Sequence, residues 1–493
     1  MRKLMIQQKT SLFFTLLVCL TLHSCGLFKP ATDPNKEKVY KDEDGELGEI
    51  QGQRVYNPET GEWEVVRIIT AKPDTVKWVD LPATKFPPIT SDGSFTGGGA
   101  PPPNSGTTTV TPEGSVMKPS YEVAVVLPFM THQFNKNGTT LPANSDWALR
   151  FFSGMKMAAP KLESEGVRLS LHLLDSKGDE KAVQDLIRSN TALNTADLII
   201  GPYRRDNVRL MADFARQKNI TMVSPFTASM NITAQNPNYI QVNPSLKRHC
   251  EAIVRDVKAH YKNKEVVIVA KNTPDEKMWV DVLQTANRMT QTDADTAQFQ
   301  VHLVSDNSAD FHEMDLSDVF REEGTTVVIV PSYRDETFIY SLFRTLALKK
   351  RPGQRVVVYG FQPWMNYERI DFDFFENLNV HVSSGGFIDP LNPDIQLFMR
   401  QYFEQFGTPP TEEAYLGHDV LLYFGRMLKK YGTKFQMSLE KEPPTPYLRS
   451  SFDIERVIFS PNVINENLNR VDQWENKFVH ILEFKNYHFQ PAN

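Results

Sequence analysis

The sequence is 493 residues long, 40% hydrophobic and 23% charged, which allows a sizeable core and two or more domains. Its formal net charge is −6; residues 1–24 hold three basic and no acidic residues, so their removal leaves −6 − 3 = −9. An acidic chain has no general attraction for nucleic acid, and Cys19, Cys25 and Cys250 form no disulfide framework.

At the start of the chain, Arg2, Lys3 and Lys9 surround the entry to an apolar run over 11–22, and no acid occurs before Asp33. A basic start, a short apolar stretch and a small residue, Ser24, before a cut site describe a secretory signal. The run is shorter than the roughly 20 residues of a membrane span. Leu20-Thr21-Leu22-His23-Ser24-Cys25 resembles a bacterial lipobox. The resemblance implies a signal peptide over 1–24, Cys25 as first residue of the mature chain, and a membrane partner through lipid on Cys25. A plain secretory signal followed by an incidental cysteine is the alternative. Gly26 stands where enteric lipoproteins retained at the inner membrane carry Asp, and residues 26–30 lack an acidic export tag. By resemblance the expected address is the outer membrane, facing the periplasm.

Residues 25–118 read as a largely disordered tether. The stretch 36–46 is mostly charged, and 91–118 is rich in Gly, Pro, Ser and Thr, a composition that buries too little surface to offset its ordering entropy. One exception is a strand–turn–strand pattern over 54–70, with Pro58 and Gly61 at turn positions. A coil-like tether of about 90 residues has an r.m.s. span of roughly 50 Å, long for a solute catcher at the membrane and suited to reaching something farther off.

From residue 121 strands and helices alternate. Strands are expected at 122–128, 167–174, 198–201, 221–224 and 239–242, with helices at 147–162, 181–189 and 207–217. After Asn243-Pro244 the alternation restarts with strands at 266–270, 299–304, 327–330 and 356–359 and helices near 278–289, 311–323 and 337–349. A strand at 380–384 is expected to return toward the first lobe, followed by helices at 395–406 and 412–430 and a closing strand at 478–484. This pattern indicates an α/β protein with parallel sheets covered on both faces. The boundaries expected are 119–243 with about 378–450 for a first lobe, and 244–377 with about 451–493 for a second.

Short motifs carry a family likeness. Ala124-Val125-Val126-Leu127-Pro128-Phe129, Phe152-Ser153-Gly154-Met155-Lys156-Met157-Ala158, Leu198-Ile199-Ile200-Gly201-Pro202, Met222-Val223-Ser224-Pro225-Phe226-Thr227-Ala228 and Ala414-Tyr415-Leu416-Gly417-His418-Asp419-Val420 occur in order over about 120–490. Together they resemble the type I periplasmic-binding-protein-like fold. The resemblance implies two lobes with ligands between them, near the carboxyl ends of the strands. Its branches include branched-chain amino acid receptors, receptor ectodomains and outer-membrane lipoproteins that activate penicillin-binding proteins; all are non-catalytic.

In the amino-acid binders the turn after the Gly-Pro-like pair offers Ser and backbone N–H groups to the ligand carboxylate. Here it reads Gly201-Pro202-Tyr203-Arg204-Arg205-Asp206-Asn207. Arginine can take a carboxylate or phosphate bidentately, so a larger anionic ligand fits; alternatively Arg204 and Arg205 fill the cleft or pair with Asp206 on a protein-facing surface. Phe129, Ser224 and Thr227 are further cleft candidates from the first lobe. Lys271, Asn272, Tyr333, Arg334 and Trp364, at strand ends, are candidates from the second, and ordinary loop chemistry is the alternative for each.

No Gly-x-Ser-x-Gly, His-Glu-x-x-His or Gly-x-x-x-x-Gly-Lys occurs. Asp371 and Asp373 would share a face of an extended segment as a glycosidase pair does; a solvated linker is the plainer reading. Cys250, beside Arg248 and His249, is expected buried on a helix. No cofactor and no metal is expected. The main expectation is a non-catalytic envelope lipoprotein whose lobed domain binds a protein partner such as a peptidoglycan synthase. The alternative is a solute receptor for amino acids, peptides or cell-wall fragments, with a small-molecule ligand in the cleft.

Overall fold

The computed structural model describes residues 111–134, 141–142, 144–291, 296–458 and 471–492, together with the backbone of four short strands nearer the start. The signal segment 1–24, Cys25 and most of the stretch read as a tether lie outside the described residues. The chain divides into two units, 1–102 and 103–493. In the first, Tyr40–Lys41 pairs antiparallel with Leu47–Gly48. Gly52–Asn57 pairs antiparallel with Glu62–Arg67, setting Tyr56 opposite Trp63.

The second unit holds two seven-stranded sheets. In the first lobe the spatial order runs Ile454–Val457, Gln473–Asn476, Tyr239–Gln241, Thr221–Ser224, Leu198–Ile200, Tyr121–Leu127 and Leu169–Asp175, and only Ile454–Val457 runs antiparallel to its neighbour. The near-continuous apolar strands follow from burial on both faces. Val123, Val125 and Leu127 face the helices Asp146–Ser164 and Glu412–Tyr431, while Ala124 and Val126 face Glu180–Ser189 and Arg205–Lys218.

The second sheet runs Gln300–Val304, Val266–Lys271, Thr325–Ile329, Arg355–Phe361, Val380–Ser384, His480–Lys485 and His488–Pro491, the last two antiparallel. Val267 and Val269 pack toward Glu336–Lys349, and Val266, Ile268 and Ala270 toward Leu246–His260 and Pro274–Met289. The chain passes between lobes three times, through residues 242–245, 385–392 and 477–479.

Several expectations are corrected here. The strand Val380–Ser384 belongs to the second sheet, laddered to Arg355–Phe361 with Phe361 opposite Ser383. Conversely, residues 451–476 complete the first sheet, because Trp474 pairs with Ile240 and buries its indole, whose N–H donates to the Pro237 carbonyl at 2.9 Å. The folded unit also begins before 119: Ser115 Oγ donates to the Tyr431 carbonyl at 2.6 Å, and Lys118 pairs with Asp197 at 2.7 Å.

The helix expected at 311–323 is only the 3-10 turn Ser308–Glu313. The Asp315 carboxylate accepts the Ser317 N–H at 3.0 Å, a local bond that competes with helix. Asp371 is the N-cap of Phe372–Asn377 and accepts the Asp373 N–H at 3.0 Å, so the acidic pair is capping chemistry rather than a catalytic pair.

Candidate functional site: the cleft between the lobes

The strand Leu198–Ile200 ends at Gly201, where φ is +96° and a Cβ would collide with the Val126 carbonyl oxygen, so only glycine fits. The turn then presents Tyr203 and Arg204, and Arg205 opens the helix Arg205–Lys218. The Tyr203 ring is held edge-on by Trp147 (centroids 4.9 Å apart) and Phe226 (6.4 Å). Phe226 itself follows the strand Thr221–Ser224, and the same loop brings Thr227 to the cavity.

The opposite wall comes from the second lobe. Tyr333 and Arg334 follow the strand Thr325–Ile329, with the Arg334 guanidinium 4.9 Å from the Tyr333 ring centre. Phe361 ends Arg355–Phe361 and packs against Tyr333 at 6.0 Å. His249 and Trp279 project from the helices Leu246–His260 and Pro274–Met289. With Asn243 and Pro244 of the first crossing, these groups bound a cavity of about 930 Å³.

The charge of this cavity is one-sided. Arg204, Arg205 and Arg334 line it, and no Asp or Glu does. Asp206 leans to Arg209 at 4.0 Å rather than to Arg204 or Arg205. Asp335 takes Lys271 at 2.6 Å and caps the helix Glu336–Lys349 through the Phe338 N–H. His249 adds no charge at neutral pH: burial lowers its pKa to about 4, and Nδ1 lies 3.0 Å from Ser383 Oγ. The N-terminus of Arg205–Lys218, which no side chain caps, contributes further positive potential.

Of the residues singled out in the sequence, Tyr203, Arg204, Arg205, Thr227, Tyr333 and Arg334 meet at this cavity. The others do not. Ser224 is fully buried beneath it. Phe129 packs edge-on to Phe152 within the first lobe, at 6.4 Å. Lys271 is held by Asp335 and Glu276, and the Asn272 N–H donates to the Val304 carbonyl.

Trp364 is a core residue: it fills the slot left by Gly360, and its indole N–H donates to the Ser332 carbonyl at 3.1 Å. In the strand-end stretch Phe361-Gln362-Pro363-Trp364 it is Phe361 that reaches the cavity. Residues missed as site groups are Phe226, His249 and Trp279. Phe226 stands at a strand end and could have been found by position; His249 and Trp279 lie within helices and carry no local signal. Cys250 is fully buried, and that burial pushes its thiol up, away from reactivity.

Among the described residues no group of His, Cys, Asp and Glu could hold a metal ion, and no helix is long and apolar enough to cross a membrane.

A putative branched-chain amino acid ABC transporter protein from Rhodospirillum rubrum superposes with a TM-score of 0.54 at 12% identity, over 75% of this chain and 99% of its own. An ABC-type branched-chain amino acid transporter protein from Rhodopseudomonas palustris gives 0.51 at 12% identity, over 76% and 96%. An ABC transporter substrate-binding protein from Desulfitobacterium hafniense, in complex with Leu, gives 0.47 at 15% identity, over 76% and 100%. At 12% identity the first two likenesses show the fold, which is the two-lobed type I periplasmic-binding-protein-like arrangement. No curated protein sequence matches the chain. Residues 154–490, more than half the sequence, match the receptor family ligand binding region, and the chain belongs to that family.

Proposed function

We propose that the protein is a solute receptor of the substrate-binding type, which captures a small molecule between its lobes and acts by binding rather than by catalysis. The observation that carries this reading is the cavity of about 930 Å³ bounded by both lobes and by the first crossing. Its size is that of a ligand pocket, and its lining combines aromatic faces with a few polar groups. Membership of a ligand-binding family and a fold shared with transporter binding proteins support it. The sequence before the folded unit supports a lipid anchor at Cys25 on an outer membrane, facing the periplasm. The long segment behind that anchor favours a second reading, in which the lobes bind an envelope protein such as a peptidoglycan synthase.

Thermal unfolding of the purified protein against amino acids, carboxylates, peptides and muropeptides tests the proposal. A true ligand at a hundredfold excess over its Kd stabilises the native state by about 2.7 kcal/mol, which appears as a dose-dependent rise in Tm. Arg205 is exposed and makes no ion pair within the described structure, so Arg205→Ala keeps the fold. Loss of its charged hydrogen bonds weakens the ligand by about tenfold or more. No shift from any compound rejects the receptor reading in favour of the protein partner.

A further inference from the structure

The charge distribution in the cleft specifies more than the presence of a ligand. We infer that the ligand is a small dianion, with anionic groups on an apolar or planar body and no ammonium group. This rests on the receptor reading and names the substrate class of that same cavity. Arg204 and Arg205 stand on one wall and Arg334 on the other, and none makes an ion pair with a carboxylate within the described structure. Such guanidiniums are hydrated in the empty cavity. A ligand that fills the cavity strips their water, which is unfavourable unless negative charge enters with it.

A free amino acid does not meet this need. It is a zwitterion of zero net charge, and its ammonium requires an acceptor that a lining without Asp or Glu cannot supply as a carboxylate. The aromatic faces could receive a cation, but only within the field of three guanidiniums. A monoanion satisfies one wall and leaves the other unpaired. A dianion satisfies both, with one group on the Arg204–Arg205 wall and one on Arg334, each able to form a bidentate bond. Between them, Tyr203 and Phe226 on one side and Trp279, Tyr333 and Phe361 on the other line the space for the body of the ligand with aromatic rings. Neutral His249 adds no charge that would alter this balance.

The test is titration calorimetry on the purified protein with α,ω-dicarboxylates from succinate to suberate and with terephthalate, beside benzoate, leucine and phenylalanine. One or more of the dicarboxylates is expected to bind at least about tenfold more tightly than benzoate and the amino acids, since each charged pair adds a factor of that order. Its affinity is expected to fall as salt is raised. Arg334→Gln is expected to bring dicarboxylate and monocarboxylate affinities together; a merely structural role for Arg334 would weaken both alike and leave their ratio unchanged. Leucine or phenylalanine binding as tightly as every dicarboxylate overturns the inference while the receptor reading stands. A flat response across the dicarboxylates overturns it too, and the receptor reading is then decided by the wider panel of ligands in the unfolding experiment.

Discussion

Asp419 shows what one buried side chain does for the geometry around the cleft. It is fully buried, and its carboxylate accepts N–H bonds from Leu448, Arg449 and Ser450 at 3.2, 2.8 and 2.9 Å. Those donors form the loop that leads into the first-lobe strand Ile454–Val457. Asp419→Asn keeps the volume but replaces charged acceptors with a neutral amide that presents N–H groups to N–H groups. Stability should fall by about 2–3 kcal/mol, read as a lower urea midpoint with an unchanged m-value; an unchanged midpoint would contradict this role. The acid was visible in the motif ending at Val420, but the three N–H donors lie about thirty residues farther along the chain and left no local trace. Tyr203, Arg204 and Arg205 were legible because a Gly-Pro turn after a buried strand carries the next residues out to the strand ends. Trp364 misled because the inward turn of its ring depends on the missing side chain of Gly360.

Among the elements, the helices Asp146–Ser164 and Glu412–Tyr431 approach closely enough for backbone to meet backbone. A Cβ on Gly154 would strike the Ala414 carbonyl, and one on Gly417 the Phe151 carbonyl, so each glycine faces the backbone of the other helix across the crossing. Each costs about 1 kcal/mol in helix propensity relative to Ala. Gly417→Ala should therefore stabilise an isolated helix yet destabilise the protein, by roughly 1–3 kcal/mol as the helices are forced apart. Gly425→Ala is the comparison: the atoms nearest its added methyl belong to the Leu162 side chain, which can move, so its Tm loss should be smaller. Equal losses would refute the backbone-contact account. Gly154 and Gly417 stood in the motifs that suggested the family, and the crossing supplies the physical reason for them. Other elements were read less well. The apolar spacing over 311–323 imitates a helix, because Phe311, Met314, Leu316 and Val319 are all buried, but from turns rather than one helical face. The alternation that announces a strand at 380–384 carries no information about which sheet it joins, since a parallel partner is chosen by a register set elsewhere.

Over the whole molecule, the alternation of strands and helices made two α/β lobes readable, whereas the three crossings joining them were only partly so. The crossings are held by long-range charge. Arg248, in the helix after the first crossing, reaches Glu455 at 2.6 Å and Glu475 at 3.3 Å on two strands of the first lobe. Glu475 also accepts the Ser245 N–H at 2.9 Å. Two histidines close to the first and third crossings are kept neutral by burial. His249 is in the first turn of the same helix, and His480 begins the strand after the third crossing; the pKa of each is lowered to about 4, with Arg449 adding to the effect at His480. In the unfolded chain both titrate near an ordinary value of about 6.5. Between about pH 6.5 and 4 the unfolded state thus binds protons that the native state refuses, and stability falls as the pH falls through that window. The loss is at most about 3 kcal/mol for each histidine, and it is absent above pH 7, where both states are neutral. Because the two rings sit where the chain passes between lobes, protonation would unfasten the crossings together with the wall of the cleft that His249 supplies. Urea midpoints measured from pH 7.5 to pH 4.5 should decline steadily, and His249→Gln with His480→Gln should flatten that decline even if both lower stability at pH 7.5. A decline as steep in the double variant as in the parent would assign the acid sensitivity to carboxylates instead, such as Glu165, which the Arg426 guanidinium holds below the usual carboxylate range.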